Sequence, residues 1–271
     1  MRTLIVDVIT LFPQVLEPAF RTGILGRAAR RGLVTLRLVD LRGYGEGPHR
    51  ITDDRPYGGG AGMVMTPGPI AAALESLEPG AHRVLLGPRG ARFDQARAWA
   101  FSRLEHLVLV SGAYEGVDER VRALVDEVVS IGDFVLSSGE SAAWAVVDAT
   151  CRLVPGVLEP ASLAEESFQG RLLEAPHYTR PRVFRGAAVP DVLVSGDHAA
   201  IARWRRAQAL RLTLRERPDL WDAAALTPGD AALLQGIGDE DARGALARGS
   251  TDSGTESSRR RRGDGGGPRP G

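Results

Sequence analysis

The sequence predicts an α/β protein built on a parallel sheet and followed by a small all-α domain. Three observations predict it. Largely apolar runs recur without alternation, TLIVDVI at 3–9, VTLRLVDL at 34–41, HRVLLG at 82–87, HLVLVS at 106–111 and VDEVVSI at 125–131, as strands covered on both faces require. Helical stretches separate these runs, the alternation that produces a parallel sheet. Beyond about residue 174 no such run recurs, and Arg-rich helical sequence takes over.

Taken in order, residues 12–20 and 23–31 read as helices, the second ended by Gly32, and the strand at 34–41 follows. A long polar segment from Arg42 to Met65 has no period, and loops of that length in compact domains are usually functional. Pro67 opens a helix to about Leu77, with proline in the tolerated first turn. The strand at 82–87 ends in Gly87-Pro88-Arg89-Gly90, read as a turn at the same sheet edge as two others, and a helix at 94–103 leads to the strand at 106–111. That strand and the next end in the glycine-rich turns Gly112–Gly116 and Gly132–Gly139, which predicts one pocket made by two adjacent turns. Between 112 and 140 seven acids stand against Arg120 and Arg122, a balance of −5 that suits a cationic ligand better than a phosphate.

The helix SAAWAVVDATCRLV runs from 141 to 154 and is stopped by Pro155-Gly156; Cys151 within it reads as a packing residue. From Pro155 to Leu173 the sequence is a Pro/Ser/Glu-rich connector. Residues 176–217 then carry nine Arg and three acids, and Ala199–Arg217 reads as a basic helix with Trp204 embedded, a composition suited to phosphates and bases. Short helices are expected at 229–235 and 239–247. The tail from Gly249 is too poor in apolar residues to fold.

Composition excludes several classes. The 271 residues are 43% apolar and 25% charged, ordinary for a globular protein, with a net charge of zero. All 34 basic residues are Arg. Without Lys there is neither a Walker A site nor a Schiff-base mechanism, and no G-x-G-x-x-G occurs. The five His lack metal-ligand spacing. No apolar run approaches the roughly 20 residues of a membrane span, the opening strand lacks the basic front of a signal peptide, and the single Cys fits a reducing cytoplasm.

The motifs DDRPYGGGAGM, GAYEGVDER and SIGDFVLSSGE, in that order, resemble those of bacterial tRNA (guanine-37-N1)-methyltransferases, and the resemblance extends from about Ile5 to Leu234. It implies a knotted Rossmann-like parallel-sheet domain, the SPOUT trefoil knot, at 1–157, a linker at 158–173, a helical tRNA-binding domain at 174–248 and a disordered tail at 249–271. It implies S-adenosyl-L-methionine as methyl donor, with Mg2+, tRNA as substrate, and a homodimer. By that match Leu86, Pro88, Gly112, Tyr114, Glu115, Gly116, Ile131, Gly132, Val135, Leu136 and Gly139 hold the cofactor. Asp53, Gly58, Gly59, Glu174, Ser195, His198, Trp204 and Arg205 meet the tRNA. Arg152 supports the guanine oxygen, and Glu166 is the base, standing where the family has Asp in E-D-S-F and this chain reads Glu165-Glu166-Ser167-Phe168. Ala61, Ser138 and Ala142 also depart from the family's Pro, Gly and Pro. A ribose 2′-O-methyltransferase of the same class and a non-catalytic tRNA-binding module are the competing readings.

The composition of the tail gives a first prediction. Truncation at Gly249 leaves the single-turnover rate at saturating tRNA unchanged and at most flattens the salt dependence of tRNA binding; a large loss of rate would contradict it.

Overall fold

The computed structural model describes residues 3–168, 171–221 and 226–235; the helix expected at 239–247 and the tail from Gly249 lie outside them. The chain divides into two compact units between Leu163 and Ala164.

The first unit is a five-stranded, all-parallel sheet ordered β2-β1-β6-β5-β7. Its strands are β1 (Leu4–Thr10), β2 (Val34–Asp40), β5 (His82–Arg92), β6 (His106–Ser111) and β7 (Glu127–Ser130). Two-residue strands β3 (Asp53–Asp54) and β4 (Val64–Met65) pair antiparallel beside it. Central β6 is buried at all six positions, which is why its sequence shows no alternation. Leu107 and Leu109 face one core with Val6 and Val8, while Val108 and Val110 face the other with Ile9.

Helices cover both faces. On the first lie α1 (Pro13–Arg21), α2 (Gly23–Arg30), α4 (Gln95–Ser102) and α5 (Glu140–Cys151), through residues such as Leu16, Leu25, Phe101 and Val147. On the second, α3 (Pro67–Glu75) contributes Ile70, Ala73 and Leu74. Cys151 is buried in the first core, and desolvation pushes its thiol up to about 12, so it packs and does not react.

Asp7, the acid that interrupts the first apolar run, is fully buried. Arg37, its register partner on β2, grips both its oxygens at 2.6 Å, and His106 Nε2 lies 2.6 Å from Oδ2. Arg37 also reaches both oxygens of Glu78. Hydrogen bonds first to Asp7 and then to Glu78 raise the guanidinium's pKa, and the bond from Arg37 holds Glu78 at about 2. The Glu78 contribution is therefore present above the ordinary carboxylate value of 4.5 and fades as pH falls toward about 2.

In the second unit α7 (His198–Glu216) packs against α8 (Pro228–Gln235) through Ala209, Leu210, Leu214 and Leu234. Arg206 holds Asp230 in a bidentate pair at 2.7 and 2.8 Å, while Asp230 and Thr227 cap α8 reciprocally. A hairpin of β8 (Val183–Phe184) and β9 (Ala187–Ala188) accompanies these helices, so the region is helical without being purely so.

Two expectations need correction. The strand expected to stop at Gly87 continues to Arg92, because residues 87–90 loop out and the strand then pairs with β7 again at Ala91 and Arg92. The connector after Pro155 contains a short helix, α6 (Pro160–Ala164).

The buried Asp7 gives the second prediction. Arg37→Met strands a charge in the core and should lower unfolding stability by about 2–3 kcal/mol, whereas Asp7→Asn combined with Arg37→Met should cost less than the two singles together. Urea titration measures both.

Candidate active site

Three turns, one an excursion within β5 and the others following β6 and β7, enclose a cavity of about 260 Å³. The first is the excursion 87–90; it lies so close to β7 that a Cβ on Gly90 would stand 2.4 Å from Val129 N. The second follows β6, with Tyr114 at φ +58° and Gly116 at φ +124° turning the chain back. The third, 131–139, leaves β7 at the sheet edge and returns past β5 to the end of β6. There Ser138 bridges Ala113, and Gly139 N donates to Gly112 O at 2.7 Å. A Cβ on Gly139 would lie 2.7 Å from Ser111 Oγ and 2.9 Å from Gly112 N, so only glycine fits. One on Gly112 would meet Val117 at 3.4 Å, an ordinary contact.

All eleven residues expected to hold a cofactor, from Leu86 and Pro88 through Gly112–Gly116 (Ala113 aside) to Ile131–Gly139, line this cavity. The intervening β5 does not separate the turns, because the return path closes over its end.

The charge at the cavity differs from the sequence estimate. Asp126 and Glu127 stand at the opening end of β7, where Glu127 meets His82 and Arg97. Glu140 is buried, with Oε1 held by Thr10 at 2.5 Å and Ser111 at 3.0 Å. The lining itself holds Glu115, Asp118 and Glu119 against Arg89 and Arg122. Hydrogen bonds from Arg120 hold the Asp118 carboxyl at about 2, and Arg89 meets Glu119 at 2.6 Å. Glu115 alone among these acids has no cationic partner among the described residues. The cavity is close to neutral with one free carboxylate.

The segment 53–65 is pinned to the same wall. Glu115 N donates to Met63 O, Met65 N to Gly116 O and Asp118 N to Met65 O, at 2.9–3.0 Å. Gly62, at φ +82°, stands where a Cβ would fall 2.4 Å from the Glu115 side chain. Asp53 lies in β3, half-buried, and Gly58 and Gly59 turn the loop tip at φ +84° and +79°. Sequence reasoning missed Gly62, Arg89 and Phe134. The glycine run hid the first, Gly-Pro-Arg-Gly reads as a stop and hid the second, and the third lines the cavity with its ring against Gly132.

A sequence model of the family described as tRNA (Guanine-1)-methyltransferase TrmD matches residues 4–223. The chain belongs to this family. A tRNA (guanine-N(1)-)-methyltransferase of Anaeromyxobacter sp. (strain Fw109-5) is 54% identical over 241 residues, 87% of this chain and 97% of the relative. Its counterparts in Myxococcus xanthus, 53% identical over 84% of this chain and 95% of their length, and Dictyoglomus turgidum, 49% over 86% and 96%, carry the same name. The fold is accordingly the SPOUT knotted fold expected from the resemblance.

The other expected residues fall in several places. Arg152 caps the C-terminus of α5 in the first unit. Glu166 lies in the turn after α6, half-buried, in the second. Its neighbours are fixed: Ser167 Oγ accepts from Glu174 N at 3.1 Å, Phe168 N donates to Leu172 O at 2.6 Å, and Arg217 lies over the Phe168 ring. Glu174 also meets His177 at 3.3 Å. Ser195 donates to Val192 O just before α7, whose first residue is the exposed His198. On α7, Trp204 touches Tyr178, and Arg205 pairs with Glu165 at 3.2 Å.

The difference between the two glycines gives the third prediction. Gly139→Ala should abolish S-adenosylmethionine binding, and Gly112→Ala should weaken it less than tenfold, as read by calorimetry; equal affinities for the two would be inconsistent with this geometry.

Proposed function

We propose that this chain transfers the methyl group of S-adenosylmethionine to nitrogen-1 of the guanosine at tRNA position 37, beside the anticodon, in the cytoplasm and as a homodimer. The observation that carries the reading is the convergence of all eleven family-matched residues on one glycine-built cavity. The cavity suits the donor: Leu86, Ile131 and Leu136 give apolar walls for a ring, backbone groups at the glycines give hydrogen-bonding edges, and Glu115 gives a carboxylate for a cationic end. When bound, the donor supplies an electrophilic methyl on a sulfonium.

The protein's own residues have two tasks. Glu166 accepts the proton from guanine N1, and Arg152 offsets the negative charge that develops on O6. Glu165, the neighbouring carboxylate, pairs with Arg205 at 3.2 Å. Glu and Asp differ by only about 0.4 pKa units, so the consequence of Glu at this position is reach. Because Ser167 and Phe168 are tied to 172–174, the extra methylene is accommodated in the Glu166 side chain more readily than by a shift of the loop.

Glu166 and Arg152 lie in different compact units, which suits an active site shared across a two-fold axis. The exposed Phe134, Val135 and Leu136 at the cavity, 55%, 91% and 40% accessible, give such a partner an apolar surface to cover. Among the described residues the one acid and histidine cluster with ligand spacing is Asp7, Glu78 and His106, and Arg37 fills it, so it does not fit Mg2+ and no step is routed through that ion. No described helix is long and apolar enough to cross a membrane.

Nucleoside mass spectrometry of tRNA incubated with protein and S-adenosylmethionine tests the reaction, with 1-methylguanosine as the expected product. As a fourth prediction, Glu166→Gln lowers the single-turnover rate at least a hundredfold, Glu165→Gln leaves it within a few-fold, and Glu166→Asp retains activity. The reverse order for the two glutamines would reassign the base. Sedimentation is expected to show a dimer, and an active monomer would refute the shared site.

A further inference from the structure

The second unit contains a cavity of its own, about 360 Å³, between the segment 176–182, the 189–194 stretch and the first turns of α7. Tyr178, Arg180, Arg182 and Arg205 line it, Leu193 and Ile201 are among its apolar walls, and no acid is among its lining residues. Two of the guanidiniums are balanced by carboxylates outside the lining, Arg182 by Asp191 at 3.0 Å and Arg205 by Glu165 at 3.2 Å. Arg180, exposed, has no such partner among the described residues. Tyr178 is held by a tilted contact with Trp204, 6.2 Å between centroids, yet the residue stays 49% accessible.

This combination selects a ligand class. A simple anion would satisfy the arginines but leave the tyrosine ring and apolar walls wet, and an apolar ligand would leave Arg180 without a counter-charge. A nucleotide meets both demands, its base on Tyr178 and the walls and its phosphate on Arg180, and the volume lies in the range of small-ligand sites. We infer that this cavity takes one unpaired nucleotide of the RNA substrate, making Tyr178 and Arg180 specificity-determining residues outside the methyl-transfer cavity. The inference rests on tRNA being the substrate.

The full chain and its Tyr178→Ala, Tyr178→Phe and Arg180→Gln variants would be compared for tRNA KM, kcat, salt dependence of binding and S-adenosylmethionine affinity, with melting curves to confirm folding. The direct probe is a single-stranded 5′-phosphorylated oligoribonucleotide carrying 4-thiouridine, crosslinked and mapped by peptide mass spectrometry. Tyr178→Ala should raise the tRNA KM roughly tenfold with little change in kcat or donor affinity, Tyr178→Phe should restore most of the loss, and Arg180→Gln should reduce the salt slope by about 1. The crosslink should fall within 176–182. Folded variants with wild-type KM and slope, or crosslinks elsewhere, would overturn the inference, as would variants that turn monomeric while still binding the oligonucleotide, since the cavity would then be a protein contact. Wild-type protein that crosslinks at Tyr178 yet forms no 1-methylguanosine would refute the methyl-transfer reading and leave this cavity standing.

Discussion

Residue 139 can have no side chain, and much of the first unit depends on that. The chain returning from β7 must come within hydrogen-bonding distance of the end of β6, and the 2.7 Å bond from Gly139 to Gly112 leaves no space for a Cβ. That approach brings three turns around one cavity although their strands are not all neighbours. It also delivers α5 onto the first face of the sheet, where Ala143, Val146 and Val147 complete the core. Small residues at 141–143 let that helix start immediately after the crossing.

The sheet meets this demand with a rigid base. β6 is buried throughout and joins β1 on one side and β5 on the other. Asp7, His106 and Arg37 tie β1, β6 and β2 together by polar contacts that join the middle of β1 and β2 to the start of β6. A buried carboxylate is costly unless fully paired, and here two partners supply three contacts at 2.6 Å. The sheet uses the buried Asp7 for alignment and leaves Glu115, which has no cationic partner among the described residues, in the cavity.

What could be read in the sequence follows from how local each cause is. The strands at 82–87 and 106–111 were legible because continuous apolar runs are the direct signature of two-sided burial. The continuation of β5 to Arg92 was not, since Gly-Pro-Arg-Gly is a stop signal locally and the pairing that overrides it comes from β7, some 40 residues on. The acidic balance of 112–140 misled for the same reason: the window counted Asp126, Glu127 and Glu140, which the fold sends to the far end of a strand and into the core. Of the site, the glycine turns could be read from residues alone, whereas the roles proposed for Glu166 and Arg152 came only with the resemblance, because no local spacing marks either residue for them. The motif Asp94 with Arg97 N, and likewise Asp197 with Ala200 N, shows the opposite case, a helix start written within four residues.

The return path through 131–139 also bears on how the protein is made. Every contact that closes the cavity joins segments that are distant along the chain, and such contacts form late because the entropy of closing long loops must be met first. A molecule whose sheet has formed but whose residues 131–139 have not yet reached the end of β6 would have β1, β2, β5 and β6 paired and no place for a ligand. Ligand binding in this cavity therefore requires the contact between Gly139 and Gly112 to be in place. A chain in which that contact has not closed would keep its paired strands and lack this one capacity, so ligand occupancy reports that the contact is closed.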